Sequence, residues 1–275
     1  MEDEIRKRIL LGRSFITKFG DETGIPEDYE TDQNLRKPQP PLAKAAMTDH
    51  PLDLPTDFEK LSIDNDFLHV INSRKSQRVY TEEPIPLRSL SYLLWCAQGV
   101  KSIRGKAYAT LRTVPSGGAR HPFECYLTLR KVEGLSDGLY HYLPVTHQIE
   151  FLGCPEDLQD FISRSVCDQK WAARANAVFF LSCVFYRAEW RYGVWAHAPI
   201  LMDSGHVTEN LYLAATSIGL GGCAIAAVDP DEANKGFGLD GEEETIFYAM
   251  PVGTVRKEDE KAEDAIYAFV REQGL

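Results

Sequence analysis

The order of patterns along this chain predicts an α+β fold with a central, largely antiparallel or mixed sheet flanked by helices. Three observations carry that expectation. Strand-like and helix-like segments do not alternate in the strand–helix–strand order that builds parallel sheets. Two neighbouring strand patterns, "FECYLTLRK" and "GLYHYLP", are joined by a short turn, as in an antiparallel hairpin. The 275 residues, 44% hydrophobic and 26% charged, are enough for a sizeable buried core.

Residues 1–62 read as an extended arm and residues 63–275 as the domain. The arm's "KPQPPLAKAAMTDHPLDLPTDFEK" is proline-rich and weakly periodic. It suits an extended segment that wraps a neighbour or a partner subunit; a disordered tail is the plain alternative. Phe67, Leu68, Val70 and Ile71 then suggest a short helix ending near "NSRKSQR". Leu87, Leu90, Leu94 and Ala97 fall at helical spacing, with Pro86 at the start and Gly99 at the end. After the hairpin, "DLQDFISRSV" reads as a helix, "NAVFFLSCVFYR" as a buried strand and "APILMDSGHVTENLYLAATSIGL" as a long helix. Asn210 among Leu201, Leu211, Leu213 and Ala214 makes part of that helix face something wet or a subunit. "ETIFYAMPVG" is a late strand, and "AEDAIYAFVRE" a closing helix.

The net charge of −11 argues against general binding to nucleic acid or to an anionic membrane. It leaves room for a local basic pocket around one small anion. The start, "MEDEIRKRILLGRSF", lacks an apolar signal core, and the longest apolar run, "AVFFLSCVF", is too short to span a bilayer, so a cytoplasmic protein is expected. The six cysteines are scattered with no C-x-x-C pair, which fits buried reduced thiols. His197, His206 and Asp203 lack a third ligand, so no metal site is expected.

Five stretches can carry chemistry. In "NSRKSQRVY", Arg74, Ser76 and Arg78 alternate, so an extended backbone turns all three to one side. Two guanidiniums and a hydroxyl suit a phosphate; a solvated charged loop is the alternative. In "TVPSGGARHPFE", Gly117 and Gly118 let a ligand approach the backbone, Pro115 precedes them, and Ser116 adds a hydroxyl. Such a turn offers several amide donors to one electron-rich partner; it is otherwise a loop ahead of a strand. "GLGGCAIAAVD" is not a dinucleotide fingerprint, because a helix precedes it and no clear helix follows. Its small residues, Gly222, Ala224, Ala226 and Ala227, leave room for something flat, or make a tight helix-to-strand corner. "MPVGTVRK" ends a strand with Gly253 and then Arg256. In "AEWRYGVWAHAP", Trp190, Tyr192 and Trp195 form an aromatic wall or pack on the core, and Tyr192 beside Arg191 suits a proton-transfer group.

Taken in order, these segments resemble the nitroreductase superfamily of FMN-dependent enzymes. They are most similar to its SagB-type dehydrogenase branch, which includes the azoline oxidases of thiazole- and oxazole-modified peptides. "PSGGARHPFECYL" resembles that branch's P-S-G-G-A-x-x-P-x-E pattern, and "SRKSQR" the superfamily's phosphate motif. "GLYHYLP" and "RYG…LMDSGHVTENLYLAA…GLGG" follow in the expected places. The resemblance covers about residues 65 to 257. It implies a three-layer sandwich with a four- or five-stranded sheet and an intertwined homodimer with two FMN molecules at the interface. Arg74, Ser76 and Arg78 would hold the phosphate and ribityl end, with Arg256 helping. Pro115, Ser116, Gly117 and Gly118 would lie against the flavin from the second subunit. Gly222, Ala224, Ile225 and Ala226 would run along the ring, with the Ala226 amide near N5, and Gly253 belongs to the late turn. Two positions depart from relatives: Arg191–Tyr192 stands where azoline oxidases have lysine–tyrosine, and Ala226 where many nitroreductases have glutamate.

The expected function is hydride transfer through flavin N5. It runs either as an NAD(P)H-linked reductase of nitro or quinone-type acceptors or as a SagB-type dehydrogenase; the alternative within this class is a peptide azoline oxidase. The substrate is a small molecule or a peptide. A non-catalytic flavin-binding scaffold in a peptide-modifying complex is the alternative of a different class.

Overall fold

The computed structural model describes residues 2–18 and 24–256, so the closing helix expected over "AEDAIYAFVRE" lies outside the described residues. In chain order the elements are α1 (Glu2–Lys18), β1 (Leu52–Asp53), α2 (Phe67–Ser73), α3 (Leu87–Gln98), β2 (Val100–Arg104), β3 (Ala109–Arg112), β4 (Phe123–Leu129), β5 (Gly138–Leu143), β6 (Gln148–Gly153), α4 (Leu158–Ser165), β7 (Ala177–Val184), α5 (Tyr186–Tyr192), α6 (His197–Ser217), β8 (Leu220–Gly222), α7 (Pro230–Phe237) and β9 (Glu244–Thr254).

One seven-stranded sheet runs in the order β1-β6-β5-β4-β7-β9-β8, and every pairing within it is antiparallel. The sheet is thus wider than the four or five strands expected, because β1 and β8, of two and three residues, extend its edges. The centre follows from sequence. β4 and β7 are buried on both faces, so their apolar runs are nearly continuous. Alternate residues then divide the core. Phe123, Cys125 and Leu127 of β4, with Phe179 and Leu181 of β7, meet Leu90, Leu93 and Leu94 of α3 and Val207 and Leu211 of α6. Tyr126, Val178 and Phe180 point the other way, onto Phe161 and Ile162 of α4 and Phe237 of α7. Helices thus lie on both faces of the sheet in a three-layer α+β architecture.

Residues 24–54 fold back over the body of the same chain. The Gln33 amide donates to the Trp190 carbonyl at 2.8 Å, and Arg187 Nε donates to the Pro41 carbonyl at 3.0 Å. Lys44 is inserted over the sheet face that α4 and α7 leave open. Its amide donates to Glu124 Oε1 at 2.7 Å, and its Nζ reaches Glu244 Oε2 at 2.5 Å and the Tyr126 hydroxyl at 2.8 Å. The Met47 and Thr48 amides donate to Glu150 Oε2 at 2.8 and 2.7 Å. Residues 2–18 are helical rather than extended. Glu4 suits the positive end of a helix dipole, and Ile5 and Ile9 recur at helical spacing.

No helix among the described residues is long and apolar enough to cross a membrane. All six cysteines are free. Cys125, Cys183 and Cys223 are buried as expected, whereas Cys154 and Cys167 are exposed because they fall in surface turns.

Candidate functional site

The structure gathers the singled-out residues into two clusters at different heights along α6. The first is built on Tyr212. Arg74 ends α2 and turns the chain into an extended segment, which lies along β8: the Gln77 amide donates to the Gly222 carbonyl at 2.9 Å. This brings the Arg74 guanidinium over the Tyr212 ring, 5.3 Å from its centre, and the Ser76 hydroxyl to 3.3 Å from the Tyr212 hydroxyl. From the other side the Ala224 amide donates to the same hydroxyl at 2.7 Å. Burial pushes the Tyr212 hydroxyl up, with the bonds from Ser76 and Ala224 opposing, so it stays a neutral hydrogen-bonding group. Among the described residues Arg74 forms no ion pair, so its charge remains available to an anion. Beyond Ala224, Ile225 is buried and laddered to Ala249, while Ala226 and Ala227 are exposed.

The expectation that Arg74, Ser76 and Arg78 share one side is not met. Arg78 lies 5.8 Å over the ring of Trp171, on the opposite face of the sheet from Tyr212. Arg256 pairs with Glu83 at 2.9 Å, with both side chains largely exposed. Gly253 sits inside β9 opposite Gly221 rather than in a turn. Gly222 is small for packing: a Cβ there would come within 2.7 Å of the Pro251 carbonyl oxygen.

The second cluster is the turn from Pro115 to His121. Asp203 of α6 anchors it. The Ser116 hydroxyl donates to Asp203 Oδ2 at 2.6 Å and the Gly117 amide to the same oxygen at 3.0 Å. Burial raises the Asp203 pKa, partly offset by those two bonds. The backbone is wound tightly: φ is 56° at Gly118, 54° at Ala119 and 46° at His121. Strain of that kind at non-glycine residues survives only where the surroundings over-determine the turn. Pro115 is exposed on its outer side.

Arg191 and Tyr192, at the end of α5, pack against this turn. A Cβ on Gly118 would lie 2.7 Å from the Tyr192 hydroxyl and would overlap Arg191. Arg191 Nη1 donates to the Tyr108 hydroxyl at 2.7 Å and to Gln33 Oε1 at 3.2 Å. Burial works against the Arg191 charge, but hydrogen bonds to Tyr192 and Tyr108 hold its pKa above the ordinary arginine value. It is a permanent cation and not a base. Its Nε is buried without a hydrogen-bond partner among the described residues, a donor left for an incoming acceptor. Arg120 completes the group, 4.8 Å over the Tyr108 ring and 5.5 Å over that of Trp190. Trp190 is buried and donates Nε1–H to the Lys37 carbonyl at 3.1 Å, so it serves packing rather than an open wall.

Asp203 and Tyr212 are nine residues apart on α6, so the clusters are separated by roughly 13 Å along its axis. A groove of about 530 Å³ is lined by Val70, near Arg74, and by Thr113, near Pro115, with Tyr92, Trp95 and Asn210 between. Sequence reading missed Asp203 as an anchor, and missed Tyr212, Tyr108 and Gln33 altogether. The signal for the first two was the polar content of the long helix.

The model of the nitroreductase family matches residues 71–254. A Methanocaldococcus jannaschii protein named as a nitroreductase is 33% identical over 197 residues, covering 72% of this chain and 93% of that protein. The microcin B17-processing protein McbC of Escherichia coli is 28% identical over 40% of this chain and 42% of its own length. A Ralstonia eutropha crystal structure described as a nitroreductase superposes with a TM-score of 0.58 at 23% identity, over 80% of this chain and 99% of that one. A chain of the E. coli microcin synthetase McbBCD complex with truncated pro-MccB17 superposes with a TM-score of 0.58 at 18% identity, over 89% of this chain and 87% of that one.

Proposed function

Because this chain belongs to the nitroreductase family, we propose that it is an FMN-dependent oxidoreductase acting as a homodimer. The observation that carries the reading is the uncommitted Arg74 guanidinium beside the Ser76 hydroxyl on Tyr212. A guanidinium and a hydroxyl with a backbone turn suit a phosphate. Ala226, exposed two residues beyond the Ala224 amide on Tyr212, leaves room for a flat ring. The residues therefore fit FMN, with Arg74 and Ser76 at the phosphate; Arg78 and Arg256 would have to leave Trp171 and Glu83 to join them.

When bound, FMN supplies two-electron chemistry as hydride exchange. This chain's own part is positional and electrostatic. Arg191 holds fixed positive charge at the Gly117–Gly118 turn, and its Nε offers a hydrogen bond to an electron-rich edge. Tyr192 is the proton-carrying group of the pair, since arginine does not give up its proton. The separation of the two clusters supports a site completed across a dimer, with the turn of one subunit facing the Tyr212 cluster of the other. Exposed Phe67 and Leu68 on α2 and Leu201 and Met202 on α6 are the apolar surface available for that contact.

An NAD(P)H-linked reductase of nitro or quinone-type acceptors is the favoured direction, supported by the nitroreductase relative. Oxidation of a peptide azoline is the second reading, supported by the likeness to the microcin-processing protein. The test is an absorbance spectrum of the purified protein, then anaerobic titration with NADH and NADPH. Flavin bands that bleach with a nicotinamide and recover with a quinone are expected. Bands that bleach only with an azoline peptide would select the second direction. A protein that binds flavin but turns over neither would be the scaffold. A colourless protein that stays empty with excess FMN would reject the reading.

A further inference from the structure

Residues 84–123 contain no aspartate or glutamate, on a chain that carries 41 of them. The middle of that stretch is the β2–β3 ribbon, a two-stranded sheet separate from the main one. Residues 101–108 are all exposed, and among the described residues β2 pairs with β3 alone, so its outer edge carries backbone groups with no strand partner there. Lys101 and Arg104 lie on that strand and Lys106 in the turn; among the described residues none of them forms an ion pair. Ile103, 51% exposed, stands between the two strand cations.

The ribbon is fixed to the candidate site. The Tyr108 hydroxyl accepts from Arg191 Nη1 at 2.7 Å, and Arg120 Nη2 donates to the Tyr108 carbonyl at 2.7 Å. The Ala107 carbonyl accepts from Gln39 at 3.2 Å. At its root the Thr113 amide donates to the Gly99 carbonyl at 2.9 Å, beside the groove on α6. Lysines on an open strand also discourage edge-to-edge aggregation. That role needs no acid-free sequence on either side and no anchoring to Arg191.

We propose that the free edge of β2 receives an extended acidic peptide as an added strand, guided by Lys101, Arg104 and Lys106 and laid beside the Arg191–Tyr192 turn. The partner's backbone would supply the edge hydrogen bonds over the roughly 17 Å of β2. Its carboxylates would meet the three cations. The proposal deepens the reading above and rests on it for the chemistry beside the peptide, naming an acidic peptide as the class of substrate or partner presented there.

The test is fluorescence anisotropy on the full chain with a fluorescein-labelled alternating Glu-Val octapeptide. Its controls are the Lys-Val octapeptide and the Glu-Val octapeptide N-methylated at alternate residues. The acidic peptide should bind, more weakly as salt rises, and both controls should bind at least about tenfold more weakly. The variant K101E/R104E/K106E, changed only at exposed positions, should lose the acidic peptide by about tenfold or more and gain the basic one. Equal binding of both charges, an unchanged variant or full binding of the N-methylated peptide would overturn the proposal. So would dissociation of a dimer by the variant in analytical ultracentrifugation, because the edge would then belong to a second copy. Flavin content, read by absorbance on the same samples, separates the two ideas: an empty protein that still binds the acidic peptide rejects the cofactor and keeps the strand edge.

Discussion

Gly118 combines a φ of 56° with a neighbour, the Tyr192 hydroxyl, that leaves no room for a side chain. Gly118→Ala is expected to lose about 2 kcal/mol from the backbone alone and to push Tyr192 off the turn, read as a lower urea midpoint together with slower turnover. Tyr192→Phe removes only a hydroxyl and should slow turnover while flavin stays bound; unchanged rates would leave Tyr192 a packing role. Arg74→Ala should release flavin, measured as absorbance lost on gel filtration, because Arg74 is the cation with no competing carboxylate. His147 gives a pH prediction. It is buried between Ser91 Oγ and the Tyr142 hydroxyl, at 2.8 Å from each, and burial lowers its pKa from 6.5 to about 4. The unfolded chain therefore binds the proton first, and stability falls as pH drops from about 6.5 to about 4, by at most ~3 kcal/mol. His147→Gln should flatten that limb of the urea-midpoint curve. The bend at Ser116 and Gly117 was legible as a turn, because consecutive glycines permit backbone closed to other residues. Asp203 was not, because one carboxylate on a long helix gives no clue to which distant amide it will meet.

Elements were legible where one face is buried and the period is clean. α3 and α4 follow that rule, while β4, β5 and β7, buried on both faces, were legible as nearly continuous apolar runs; the bounds of all five lie close to the pattern. The β2–β3 ribbon was not legible, because β2 is exposed along nearly its whole length and shows no apolar alternation. α7 was missed although Asp229 caps it, Pro230 starts it and left-handed Gly238 ends it; its short length hid those signals. The arm's proline-rich pattern predicts an extended segment that wraps a neighbour, and residues 24–54 bond to the body of their own chain. His141 sits 2.7 Å from Glu150 and 3.5 Å from Glu124, and Arg187 also pairs with Glu124. Burial opposes the His141 charge, yet Glu124 and Glu150 raise its pKa above the ordinary value. That contribution is present below about pH 6.5 and fades as pH rises through the raised value. Lys44→Met would leave Glu244 short of a counter-ion and should cost about 2 kcal/mol, less than a fully buried pair because Lys44 is partly exposed. Faster proteolysis within residues 24–50 would be its signature.

At the scale of the molecule, the expected helix–sheet–helix layering is present, and the sheet is wider than expected by two short edge strands. Sequence order does not reveal that the two clusters lie roughly 13 Å apart along α6, the separation on which the proposed dimer rests. Phe67→Glu with Leu201→Glu should convert the proposed dimer to monomer in ultracentrifugation and empty it of flavin; a monomer that keeps stoichiometric flavin would place the whole site within one chain. The match to the family begins at residue 71, yet Lys44, Met47 and Thr48 satisfy carboxylates in the middle of the sheet. Anyone who trims this protein to its family boundary removes the stopper from a well of acids. What remains would be a body in which Glu244 has lost its ammonium and Glu150 two amide donors, while Arg187 still holds Glu124 and His141 still holds Glu150, so the cut should loosen the sheet without emptying its charge network.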